Sequence, residues 1–258
     1  MSGNLQLAQY GSLKGKRVFI TGGGTGIGES LVAAFAEQGA KVAFVDIQKD
    51  ASEALCIKLK QAGLEAPLFR HCDITDIPAL QKTMQELAAE IGDFDVLVNN
   101  AANDQRHNLE EVTLDYWNER IAINQRPMFF TSQAVVPGMK KKGGGSIINV
   151  SSISWHIKGA GYPAYTTTKA AVIGLTRGLA RDLGPHNIRV NTVTPGWVMT
   201  ERQLALWVDE QAEKDIKQNQ CLPDKLLPMH IARMVLFLAS DDSVMCTSQE
   251  FIVDAGWS

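Results

Sequence analysis

Thr21-Gly22-Gly23-Gly24-Thr25-Gly26-Ile27-Gly28 is the stretch on which the reading of this chain turns. Just before it, residues 17–21 form a short, β-branched apolar run, and after it Ile27, Leu31, Ala34 and Phe35 recur at helical spacing. The order is strand, tight turn, helix. Glycines allow such a turn and let backbone amides approach a pyrophosphate at the helix N-terminus. A glycine-rich loop alone is a weak signal, and GxxxGxG differs from the GxGxxG spacing of other dinucleotide folds. Asp46 strengthens it. It ends the second apolar run about 20 residues further on, where a carboxylate accepts hydrogen bonds from an adenosine ribose and repels a 2′-phosphate. NAD is therefore expected over NADP; the alternative for Asp46 is a strand-end turn residue.

The same alternation continues outward. Residues 41–45, 66–70, 95–99, 146–150, 189–193 and 250–253 read as further strands, separated by helical patterns over 51–61, 78–90, 114–139, 163–183 and 228–239. Seven strands alternating with helices predict an α/β, Rossmann-like, doubly wound fold. Its mostly parallel sheet is covered on both faces, with ligand at the carboxyl ends of the strands. No linker divides the 258 residues, so a single domain over 1–258 is expected. Residues 197–227 break the rhythm, with Trp207, a polar stretch to Gln220, and Pro223. They read as a mobile substrate lid or, failing that, a surface insertion.

Bulk properties narrow the chemistry. With 45% hydrophobic and 21% charged residues the chain has the balance of an ordinary globular protein. Its formal net charge of −3 gives no reason to expect nucleic acid or an anionic membrane as partner. Cys56, Cys72, Cys221 and Cys246 are scattered without metal-ligand spacing, so reduced thiols and no metal are expected. Residues 1–16 are polar, and no stretch approaches the roughly 20 apolar residues needed to cross a bilayer. A cytoplasmic enzyme acting on a small molecule is the expectation.

Tyr165 and Lys169, four apart at the start of a predicted helix, share one face. An ammonium beside a phenol, helped by oxidised nicotinamide, is expected to lower the phenol pKa toward use as a general base. Alone, a YxxxK pair is a commonplace surface pattern. Asn149-Val150-Ser151-Ser152 closes a predicted buried strand and puts a hydroxyl where α/β sites form, without deciding which serine points inward. Asn124, beside Ile121 and Ile123, would be a buried amide whose partners water or Lys169 could supply, as in a proton relay.

Together these residues resemble the short-chain dehydrogenase/reductase family along nearly the whole chain. The TGxxxGIG loop is joined by Asp73 after the third strand, Asn99-Asn100-Ala101, Asn124, Ser152, Tyr165, Lys169, and Pro195-Gly196 followed by Thr200. The resemblance implies a catalytic tetrad of Asn124, Ser152, Tyr165 and Lys169, with Ser152 chosen because it stands 13 positions before Tyr165. It also implies a cofactor site of Gly22, Thr25, Gly26, Ile27, Asp46, Asp73, Ile74, Asn100, Tyr165, Lys169, Pro195, Val198 and Thr200, with Asn99 steadying the central strand, and a homo-oligomer, commonly a tetramer. Ala102 departs from the family's Asn-Asn-Ala-Gly run and adds a methyl near the cofactor.

Residues 103–107, 152–156 and 254–257 are similar to those of bacterial NAD-dependent D-xylose 1-dehydrogenases and related aldose dehydrogenases. That resemblance implies oxidation of an aldose at C1 to the lactone. Asn103, Arg106, His107, Ser152, Trp155 and Tyr165 would then meet the substrate, offering polar groups and a flat apolar face to a hydroxyl-rich ring. Each doubtful member also has a structural reading: Arg106 as an ion-pair partner, His107 as a satisfied loop residue, Trp155 as packing against the lid. Within the family the rivals are dehydrogenases of a steroid, an acyl chain, another secondary alcohol or a deoxy-sugar acid. Outside it the rival is a non-catalytic NAD-sensing scaffold.

Overall fold

The structure, a computed structural model, describes residues 7–258. Strand β1 (Arg17–Thr21) has Val18, Phe19 and Ile20 buried, because both faces of the sheet are covered. It lies between β2 (Lys41–Asp46) and β4 (Val96–Asn99). With β3 (Leu68–His71), β5 (Gly145–Val150), β6 (Ile188–Pro195) and β7 (Glu250–Val253), the order is β3-β2-β1-β4-β5-β6-β7, and every pairing is parallel.

Two apolar layers sandwich this sheet. On one face α1 (Gly26–Glu37) packs on α9 (Pro228–Ala239), burying Leu31, Phe35 and Val235 against Val18, Ile20 and Phe44. On the other, α3 (Ile77–Ile91) brings Leu80, Met84 and Leu87 against Phe19, Val45 and Leu97. Each such fully buried side chain stabilises the fold by roughly 1.5–3 kcal/mol. Helices α2 (Lys49–Gln61), α5 (Arg126–Lys142) and α6 (Pro163–Leu183) complete the layers.

Three expectations shift. The helical pattern over 114–139 is two helices, α4 (Leu114–Asn124) and α5, which part at Gln125 (φ −128°, ψ −53°). Pro127 explains the break: it has no N–H to donate to the carbonyl of Ile123 four residues back, and its ring would clash with that carbonyl in a continuous helix. Residues 197–227 carry α7 (Glu201–Leu206) and α8 (Glu210–Asn219), capped by the side chains of Thr200 and Asp209. The alternation was faint there because α8 buries only Ala212 and Ile216. The third strand lies at Leu68–His71, displaced toward the C-terminus from the predicted 66–70.

The chain leaves β3 at one edge and re-enters beside β1 as β4, so successive connections diverge on either side of β1. That reversal opens a crevice at the carboxyl ends of β1 and β4.

Candidate active site

The crevice is a cavity of about 1110 Å³. Its floor is the glycine loop. Gly22 has φ +69°, and a Cβ on it would stand 2.8 Å from Ala101 Cα; on Gly28 a Cβ would stand 1.7 Å from Gly22 O. No side chain caps α1, so its first-turn amides are left for a ligand, and they open onto the cavity through Thr25, Gly26, Ile27 and Gly28. An uncapped helix N-terminus beside such a closely packed loop fits a pyrophosphate. Asn100 braces the loop from behind, its Nδ2 donating to Gly22 O (2.8 Å) and Thr21 O (3.2 Å).

At one end the cavity is lined by Asp46, Ile47, Gln48, Cys72, Asp73, Ile74 and Thr75, with no lysine or arginine among these. Asp46 is 7% exposed, and each carboxylate oxygen accepts one main-chain N–H at 2.8 Å, from Gly24 and Gln48. Those bonds fix the carboxylate at the end of β2 and leave acceptor capacity on both oxygens. Asp73 Oδ1 is taken by Thr75, through its N–H and hydroxyl. Pro195, Val198 and Thr200 line the cavity past β6.

Ser151 and Ser152 end β5 in opposite senses. Both line the cavity with Tyr165 and Lys169, but Ser151 is buried and its Oγ donates to Lys169 O (2.8 Å), whereas Ser152 Oγ accepts from Ser154 N (3.2 Å) and keeps its own proton free to donate. Lys169 is 1% exposed; its Nζ donates to Val150 O (2.8 Å) and stands 5.7 Å from the centre of the Tyr165 ring. Burial lowers the Lys169 ammonium to about 8, against the opposing pull of Asp104. Burial likewise drives the Tyr165 phenol far above its ordinary value, Asp104 adds to the rise, and the Ser152 hydroxyl opposes it. The direction is the reverse of the expectation that the neighbouring ammonium makes the phenol more acidic: desolvation outweighs one cation that is itself desolvated.

Asn124 is buried, but Lys169 is not its partner. Its Oδ1 accepts from Asn103 N (2.7 Å) and its Nδ2 donates to Asn103 O (3.1 Å), so the amide clamps the main chain of the loop after β4. Asn103 and Arg106 line the cavity, whereas His107 and Trp155 are not among its lining residues. His107 Nε2 accepts from Ala164 N in the first turn of α6, and its Nδ1 pairs with the Tyr116 hydroxyl (2.9 Å). Trp155 stacks on His156, ring centres 3.7 Å apart.

The lining also includes residues not singled out from the sequence: Asp104, Tyr162, Trp197, Gln203 and Trp257. Asp104 and Trp257 lie within residues 103–107 and 254–257, and Trp197 follows Pro195-Gly196, but nothing in their spacing marks them as neighbours. The four cysteines are free, and no cluster of metal-ligating side chains occurs among the described residues.

A family model described as enoyl-(acyl carrier protein) reductase matches residues 22–258. The chain belongs to the short-chain dehydrogenase/reductase family. It is 51% identical to a D-xylose 1-dehydrogenase of Caulobacter vibrioides over 97% of this chain and 98% of that one. It is 46% identical to a probable galactose dehydrogenase of Rhizobium meliloti over 98% of each. Its fold superposes on a 7α-hydroxysteroid dehydrogenase solved with NADH and 7-oxo glycochenodeoxycholic acid, with a TM-score of 0.90 and 31% identity over 95% of both chains. This short-chain dehydrogenase/reductase is thus an oxidoreductase acting on CH–OH groups, in a family that uses nicotinamide cofactors. No helix among its described residues is long and apolar enough to cross a membrane.

Proposed function

We propose that the chain is an NAD-dependent sugar 1-dehydrogenase that oxidises an aldose, D-xylose or a related pentose, at C1 to the aldonolactone. The observation that carries the reading is the substrate end of the cavity, where Asn103, Asp104, Arg106, Tyr162 and Trp197 surround Ser152 and Tyr165. A hydroxyl-rich ring suits such walls better than a steroid or acyl chain, which would cover the remaining acceptor sites of Asp104 without offering them a donor. Relatives named for D-xylose and galactose at 51% and 46% identity support it.

The glycine loop, the α1 N-terminus, Asp46, Asp73, Ile74, Asn100, Pro195, Val198 and Thr200 would hold the dinucleotide. When bound, its oxidised nicotinamide supplies the acceptor for the C1 hydride. Asp46, in an end of the cavity lined by no cation, favours a free ribose 2′-hydroxyl over a 2′-phosphate and hence NAD over NADP. Tyr165, which burial holds protonated on its own, would take the proton of the anomeric hydroxyl as phenolate only with the positive charge of the oxidised nicotinamide beside it to offset that burial. Ser152 donates to that oxygen, and Lys169 holds positive charge beside the phenolate. Asn124 keeps the loop after β4 in place through Asn103. Exposed Leu114, Trp117 and Phe129 on α4 and α5, and Ile252 on β7, support a homo-oligomer, a tetramer by family resemblance.

Initial rates of nicotinamide reduction with NAD and NADP across D-xylose, L-arabinose, D-glucose, L-fucose and simple secondary alcohols test the proposal. An NAD-linked pentose rate is expected. Turnover confined to non-sugar alcohols overturns the aldose assignment, and cofactor binding without turnover on any of them points to a non-catalytic scaffold.

A further inference from the structure

Trp197, Gln203 and Asp104 are joined in line. The indole Nε1 of Trp197 donates to Gln203 Oε1 (2.9 Å), and Gln203 Nε2 donates to Asp104 Oδ2 (2.5 Å). An indole N–H can only donate and a carboxylate can only accept, so the two ends together fix the orientation of the Gln203 amide. All three side chains line the cavity that holds Ser152 and Tyr165. The unit spans the molecule's two loops at that end: Asp104 follows Asn103, whose main chain Asn124 clamps, while Gln203 lies in the first turn of α7 with its N–H on Thr200 Oγ1 (3.2 Å).

We infer that this unit is the specificity determinant for a polyhydroxylated substrate: Asp104 accepts hydrogen bonds from neighbouring hydroxyls, Trp197 covers the C–H face, and Gln203 positions both. The inference rests on the aldose reading for the identity of the substrate, but not for the chemistry it selects.

Asp104 retains free valence. A carboxylate offers about four acceptor sites, and Gln203 and the Nε of Arg202 (3.4 Å) occupy two. Arg202 is about half exposed, so it screens the carboxylate without enclosing it. Arg106, the other guanidinium of this wall, is directed onto aromatic faces, 4.7 Å from the Trp207 ring centre and 5.3 Å from that of Tyr162. Asp104 therefore keeps acceptor capacity toward the cavity. Trp197 is held by Trp257, ring centres 6.1 Å apart and tilted by 53°, and by the Arg106 guanidinium 5.9 Å from its ring centre. A fixed aromatic face beside a fixed carboxylate fits a ring with C–H bonds on one side and hydroxyl donors at its edge.

The test compares kcat/KM for D-xylose with that for each monodeoxy-D-xylose, in the wild type, Asp104→Ala, Asp104→Asn and Gln203→Leu. A ratio between two substrates cancels general losses of turnover, and unchanged NAD binding checks that each variant is folded. Losing a hydroxyl that meets a carboxylate should cost the wild type about 10- to 100-fold at one or more positions. That penalty should collapse to within about 3-fold in Asp104→Ala, with intermediate values in Asp104→Asn and Gln203→Leu. Deoxy penalties as large in Asp104→Ala as in the wild type overturn the inference. Cyclohexane-1,2-diol against cyclohexanol gives the same ratio without the aldose reading. A wild type that turns over no sugar discards that reading, while the diol preference, lost or kept on removing Asp104, still supports or overturns the inference.

Discussion

Ser151 Oγ donates to the main-chain oxygen of Lys169 at 2.8 Å, which spends the proton of one serine on the frame that holds the lysine, while its neighbour Ser152 on the same cavity wall keeps its proton free. The two adjacent hydroxyls should therefore fail in different ways. Ser152→Ala is expected to lower kcat about 10²- to 10³-fold, the usual loss for one donor to a developing oxyanion, with at most about 1 kcal/mol lost from its long bond to Ser154 N (3.2 Å). Ser151→Ala should instead cost about 1 kcal/mol of stability and retain most of kcat. Steady-state rates and thermal melts of both variants decide it; the reverse pattern would mean that Ser151 meets the substrate.

The two ionisable groups of the pair are both held toward neutrality, and Lys169 makes this measurable apart from turnover. Burial lowers its ammonium to about 8 from 10.5. Below pH 8 the folded state carries the buried cation at full cost. Between pH 8 and 10.5 the folded state has released the proton that the unfolded chain still binds, so stability rises with pH, and above that window the cost is gone. The shift corresponds to about 3 kcal/mol, from which the lost bond to Val150 O takes back about 1. Lys169→Met should thus be about 2 kcal/mol more stable than the wild type at pH 7 while losing activity. A variant that melts lower than the wild type at pH 7 contradicts this account.

What the sequence displayed and what it hid divide along one physical line. Gly22 and Gly28 announce themselves because their roles are backbone roles that no other residue fills, and Asp46 because its distance along the chain from them is set by one strand-helix-strand unit. Tyr165 and Lys169 are legible because one helical turn brings them together. The bond from Gln203 to Asp104 joins residues 99 positions apart through side chains alone, and no periodicity encodes it. The division between α4 and α5 had its signal in Pro127, but apolar spacing continues across it. The rise in the Tyr165 pKa depends on how much solvent the finished fold removes, which the pairing with Lys169 cannot convey.

Asp46 ties cofactor choice to the folding of the loop itself. Both of its oxygens already bind main-chain N–H groups of Gly24 and Gln48, and no cation lines that end of the cavity. Asp46→Ser removes the charge that opposes a 2′-phosphate together with the acceptors for a ribose hydroxyl. The expected result is a loss of about 10- to 100-fold in kcat/KM for NAD and a gain for NADP. Unchanged preference between the two cofactors would show that Asp46 serves the loop alone.

His107 is a substrate candidate that the fold employs elsewhere. The first turn of α6 begins with Pro163, its flanking residue Tyr162 offers no side-chain cap, and His107 Nε2 accepts the N–H of Ala164 (3.3 Å). The ring is also locked edge-on to Tyr116, at a centre separation of 5.0 Å, with its Nδ1 on the Tyr116 hydroxyl. Both nitrogens are thus engaged, and neither is left for a sugar hydroxyl. His107→Ala should lose about 1 kcal/mol, as capping residues do, and melt a few degrees lower. Because the turn it caps leads directly to Tyr165, kcat should fall no more than a few-fold and KM should stay within about 2-fold. A 10-fold or greater rise in KM at unchanged melting temperature would return His107 to the substrate site; a thermal melt and one saturation curve on the same sample separate the two.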